Sequence, residues 1–215
     1  MEAVLAGDLL RVDLGSEHRC LASTVLGGGL GTIRTWVNLQ VPSGYARTDP
    51  DAHLAELTAG LPGPVVGMLT AAAVERFQDV RTGSARAFAT VGLGHPMAAA
   101  GIRDPLPWTR PGTINIFVVT EAPLTDAGLA GALQTAVEAK VQALTEAGIG
   151  ARNIRGRIHG KSESHSAQIH ECLHQIGGTV ASGCPSSHHH FGAIANYKNG
   201  HSANSKDESV LSSDT

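Results

Sequence analysis

Through its first 150 residues the chain alternates between short apolar runs and polar punctuation. The runs are Leu9–Val12, Cys20–Ser23, Thr35–Val41, Val65–Leu69, Ala85–Val91 and Thr113–Val119, each close to Gly, Pro, Asp or Ser. Runs of this length and spacing predict strands. Between them Asp49–Ala59 predicts a helix. Thr70–Asp79 fits either a helix or the first arm of a hairpin turning at Thr82-Gly83-Ser84. The clearest element is a helix over Thr125–Ala147, with Thr125 as N-cap, Asp126 in the first turn and Gly148 just past the end. On it Leu129, Leu133, Val137, Val141 and Leu144 recur at spacings of three and four, a single apolar stripe expected to face a sheet. At 100° per residue Lys140 falls inside that stripe and Glu138 lies off its edge. The lysine therefore either snorkels past the core or presents its ammonium to a pocket.

Strands interleaved with helices predict an α/β fold of mixed α+β layers, one domain in which helices cover a sheet. The 215 residues are enough for a sizeable core. The composition changes near residue 150. Before it stand 24 alanines, four serines, three histidines and a single lysine; the last 65 residues hold six alanines, eleven serines and eight histidines. Residues 1–150 are thus read as the domain, and 151–215 as a divergent, irregular, partly disordered tail rich in His and Ser. A tail that fails to cover an apolar face also predicts self-association into a homo-oligomer.

A net charge of −3 and 16% charged residues give no basic footprint for nucleic acid. The longest apolar run, around Ile114–Val119, is too short for a membrane span, and no secretory signal opens the chain, so a cytoplasmic location is expected. The partner expected is a small molecule. Cys20, Cys172 and Cys184 form no paired framework.

One stretch of the tail, "IHECLHQIGG" at 169–178, contains His170-Glu171-x-x-His174, the helical spacing with which two histidines and a glutamate serve a zinc peptidase. In the extended motif the third ligand falls where this chain has Val180. The tail is too short to build the surrounding fold, and no metal is assigned. His188–His190 with Cys184 could bind metal adventitiously.

Glycine and threonine stretches stand at the predicted strand ends: "TVLGGGLG" (24–31), "VNLQVP" (37–42), "VVGMLTAA" (65–72), "ATVGLGHP" (89–96) and "PGTINIFVV" (111–119), followed by "AVEAKVQALTEAG" (136–148). In this order they resemble the adenosylcobinamide amidohydrolase family over residues 8–148. The resemblance implies hydrolysis of the amide joining the aminopropanol arm to the corrin ring, yielding adenosylcobyric acid for cobalamin salvage, with a corrinoid substrate and no cofactor. Glycines such as Gly28, Gly29, Gly92 and Gly112 let backbone N–H groups approach a ligand, although each also suits a tight turn. Asn38, Thr70, Thr90 and Thr113 offer amide or hydroxyl groups beside them. With no Gly-x-Ser-x-Gly elbow present, the chemistry expected is attack by activated water, with Glu138 or His95 as base, Lys140 presented from the helix, and Asn115 with backbone N–H groups holding the oxyanion. Gly112–Asn115, Gly92–His95 and Lys140 are expected to share one cleft. The family carries Asn where this chain has His95, and a Thr-Gly-Thr run with an aspartate after the position of Gly148, which is missing here. A corrinoid-binding protein without turnover is therefore the alternative reading.

Overall fold

The computed structural model describes residues 1–93, 113–147 and 149, and the backbone of 192–196. Among them eight strands form one sheet: β1 (Ala3–Ala6), β2 (Leu9–Ala22), β3 (Gly29–Gln40), β4 (Val65–Thr70), β5 (Gln78–Thr82), β6 (Ala85–Val91), β7 (Ile114–Thr120) and β8 (Gly192–Asn196). The helices are α1 (Pro50–Thr58) and α2 (Asp126–Glu146). Strand order is β4-β3-β2-β8-β7-β6-β5, with β1 pairing β2 beside this path. Neighbours are antiparallel except β3/β4 and β7/β8. The fold is the mixed α+β arrangement that the alternation of patterns implies.

The two apolar runs at Leu9–Val12 and Cys20–Ser23 belong to the single strand β2, whose pairing with β3 shifts register between Asp13 and His18. Gly15, with φ of +78°, lies in that irregularity, where a left-handed backbone suits glycine. The ambiguous segment Thr70–Asp79 is divided: Thr70 ends β4, Val74–Arg76 forms a short 3-10 turn, and only Gln78 and Asp79 belong to the hairpin arm, β5, which pairs β6 around Gly83 and Ser84. Arg81 and Asp79 on this edge strand discourage further pairing.

Side chains show how far the sheet curls. β3 and β7 stand three positions apart in it, about 14 Å if it were flat. Yet the rings of Trp36 on β3 and Phe117 on β7 stack with centroids 4.9 Å apart. The β2–β4 half therefore folds over the β5–β7 half. Leu10, Val12, Ile33, Trp36, Phe88 and Phe117 fill the space between, all fully buried. The outer face of the first half packs Val37 and Leu39 against Leu54 of α1. The outer face of the second packs Ile116 and Val118 against α2, so the layers run helix, sheet, sheet, helix.

The seam of α2 differs in phase from the expected stripe. Leu129 and Val137 of the expected stripe are buried, but the line packed on the sheet is Leu129, Ala132, Ala136, Ala139 and Ala143, at spacings of three and four, while Val141 is half exposed and Leu133 packs only at the margin. Methyl groups let the helix lie close to the sheet, and a pattern of bulky residues alone misses alanines. Thr125 caps the helix through a hydrogen bond from the Gly128 N–H. Arg19 of β2 holds Asp126 in the first turn at 2.9 Å and draws its carboxyl below the usual range.

The tail also contributes to the sheet. Gly192–Asn196 lies between β2 and β7, paired with both, so part of 151–215 belongs to the domain rather than following it. A five-residue strand reading Gly-Ala-Ile-Ala-Asn is too short to announce itself by periodicity. None of the helices is long and apolar enough to cross a membrane among the described residues.

Candidate functional site

The facing strands put matching layers on top of one another. Phe88 and Phe117 are cross-strand partners, and two residues further on the same faces so are Thr90 and Asn115. Asn38 lies two residues beyond Trp36 on β3. An aromatic layer of Trp36, Phe88 and Phe117 thus floors a polar layer of Asn38, Thr90 and Asn115. Trp36 Nε1 finds no hydrogen bond among the described residues, so stacking rather than polar pairing holds that side chain.

The polar layer is buried and internally paired. Asn115 Nδ2 donates to Asn38 Oδ1 at 2.9 Å and to the Leu69 carbonyl at 2.9 Å, and Asn38 Nδ2 donates to Thr90 Oγ1 at 2.8 Å. Because a backbone carbonyl can only accept, Leu69 fixes the orientation of the Asn115 amide, and Asn115 in turn fixes that of Asn38. β3, β4, β6 and β7 are bound together at one end of the molecule.

Above this layer the paired strands end. Gly92 N–H donates to the Thr113 carbonyl at 2.8 Å, so β6 and β7 stay paired until the chain leaves toward residue 93 and returns at 113. Thr70 Oγ1 accepts from the Ala72 N–H at 3.0 Å, and the Thr70 carbonyl accepts from the Val41 N–H at 2.8 Å. Six sequence-predicted residues, Asn38, Thr70, Thr90, Gly92, Thr113 and Asn115, therefore belong to one cluster. His95 and Gly112 lie outside the described residues, as do His170, His174, Cys172, Cys184 and His188–His190. The chain positions of His95 and Gly112 are within three residues of Gly92 and Thr113.

The remaining candidates sit elsewhere. Gly29 opens β3 and Gly28 precedes it, whereas the cluster forms at the other end of that strand. Their turn is shaped by backbone packing: a Cβ at Gly28 would stand 2.6 Å from the Thr24 carbonyl oxygen, and Gly29 has φ of +94°. Glu138 and Lys140, both partly buried, are on α2, which packs against Ile116 and Val118, the face of β7 opposite to Asn115. Both residues therefore stand behind the β6/β7 layer that carries the cluster.

Chemistry follows from the donor inventory. Both amide hydrogens of Asn115 are spent within the layer, so it cannot serve as the oxyanion donor expected from sequence without breaking a buried bond, at about 1–3 kcal/mol. The cluster comprises amides, hydroxyls and backbone groups and contains no ionisable side chain. It can orient and exclude water, but a proton acceptor must come from beyond it. Sequence reasoning missed Leu69 and Ala72, since a backbone carbonyl and a methyl carry no chemical signature.

The sequence model of the adenosylcobinamide amidohydrolase family matches residues 2–160. The chain belongs to that family. A curated protein from Methanosarcina mazei named adenosylcobinamide amidohydrolase is 34% identical over 128 residues, which cover 59% of this chain and 60% of that protein. The chain thus matches less than two thirds of that relative's length. No solved structure matches the chain.

Proposed function

We propose that this member of the family hydrolyses the aminopropanol amide of adenosylcobinamide to adenosylcobyric acid, and that the mouth formed by Thr70, Gly92 and Thr113 receives the scissile amide. The observation that carries this reading is the buried Asn38–Thr90–Asn115 layer, which ties four strand ends together beneath the stretches shared with the family. Water adds to the amide carbonyl, the carbon–nitrogen bond breaks, and the amine leaves with a proton. His95, three residues along the chain from Gly92, is the preferred base. Glu138 is second, since α2 lies behind the β6/β7 layer. Asn115 holds the frame, and the oxyanion role falls to donors other than the Gly92 and Ala72 N–H groups, which are committed to Thr113 and Thr70. Reaction without an added metal fits the amide and hydroxyl character of the cluster.

The missing Thr-Gly-Thr run favours a second reading, in which the chain binds the corrinoid without turning it over. Incubating the full chain with adenosylcobinamide and following both products separates these. Release of aminopropanol, unaffected by chelator, is expected. Binding without release would leave only the second reading. Hydrolysis of peptides, lost with chelator and in His170→Ala, would replace both with a zinc peptidase.

A further inference from the structure

Gly92 is a glycine for reasons of space. Its φ is not among the positive values, so the backbone there suits any residue. A Cβ built on it, however, would lie 3.1 Å from the Cβ of Ala72 and 3.5 Å from the Thr113 nitrogen. Neither side of this contact can retreat freely. Gly92 is held by its bond to Thr113, and Ala72 by the bond from its N–H to Thr70 Oγ1. The strand just before Ala72 is tied to β7 through the Leu69 carbonyl and Asn115. The contact joins the Thr70–Ala73 turn to the paired ends of β6 and β7, the two elements that bound the proposed mouth.

We infer that the Gly92–Ala72 contact, locked by the Asn115–Leu69 cross-link, is the positioning element of the site, setting the separation of its two walls. This rests on the proposed hydrolysis being the reaction of the mouth. Gly92 and Ala72 act through the backbone they position, and neither is asked to touch the reacting atoms. A methyl added at 92 must push the walls apart by a few tenths of an ångström or more, and small misplacements of reacting groups cost rate steeply.

A reciprocal swap tests this. Gly92→Ala is expected to lower kcat about tenfold to a hundredfold, with KM for adenosylcobinamide changed far less. Ala72→Gly removes the opposing methyl, and the double variant Gly92→Ala/Ala72→Gly is expected to recover kcat to within about threefold of the wild type. Ala72→Val, which enlarges the other partner, should reproduce the loss. A double variant no better than Gly92→Ala, or an active Ala72→Val, overturns the inference. Should Gly92→Ala fail to fold, a double variant that folds and turns over still supports the pairing, and one that stays unfolded overturns it. If the wild type releases no aminopropanol, the proposed reaction fails separately. The swap is then read as adenosylcobinamide affinity, where unchanged affinity in Gly92→Ala overturns the inference and loss restored in the double supports it.

Discussion

A chain ending at Ile149 is expected to lose its cooperative unfolding transition altogether. β8 is the central connection of the sheet, antiparallel to β2 from Arg19 to Ala22 and parallel to β7 from Ile116 to Thr120. Removing it leaves backbone groups of two buried strands without partners, each at about 1–3 kcal/mol. Several such groups exceed the whole stability of a typical domain, about 5–15 kcal/mol. The halves that β8 joins also share the aromatic and polar layers, so the loss is not confined to one edge. Circular dichroism through a thermal ramp on the shortened chain checks this. Ile194→Pro in the full chain is the point version, since a central strand residue needs its N–H. A shortened chain that melts as sharply as the full one would show β8 to be dispensable.

Substitution of Asn38 by leucine is expected to be the most costly single change within the polar layer, lowering the unfolding free energy by about 2–5 kcal/mol. The substitution removes the acceptor for one Asn115 hydrogen and the donor to Thr90, stranding both in a buried place. kcat should fall about a hundredfold with it, because the strand ends are no longer tied together. Denaturant unfolding of Asn38→Leu, Thr90→Val and the double variant measures the coupling. The double is expected to be about 1–3 kcal/mol more stable than the sum of the singles implies, because Asn38→Leu alone strands the Thr90 hydroxyl and Thr90→Val alone strands the Asn38 amide N–H, whereas the double strands neither. Strict additivity would mean that the two side chains do not act as a unit.

Much of this fold was legible from patterning because the signals were local. Strands such as Val65–Thr70 and Ile114–Thr120 are short apolar runs between turn residues, and α2 carries its cap, its stripe and its length in one segment. What escaped depends on residues far apart in the chain. The curl of the sheet is legible only once Trp36 meets Phe117, and the place of β8 only once β2 and β7 leave a gap for it. The phase of α2 was misjudged because the line it packs on the sheet is mostly alanine, which a pattern of bulky residues passes over. In the site, Asn38, Thr90 and Asn115 could be picked out as polar residues in apolar strands, whereas their mutual bonds could not. Asn115 shows the consequence: its type suggested an oxyanion donor, and its partners leave it none to give. Lys140 and Glu138, expected at the cleft from the resemblance, sit on the helix behind the layer that carries the cluster.

Amide hydrogen exchange with and without adenosylcobinamide tests most directly whether the mouth is where this chain meets its substrate. Slowed exchange is expected at Ala71–Ala73, Gly92 and Thr113–Ile114 on adding the corrinoid, with little change at Gly28–Leu30. Slowing confined to the Gly28 turn or to the exposed side of α2, with the mouth unchanged, would contradict the account.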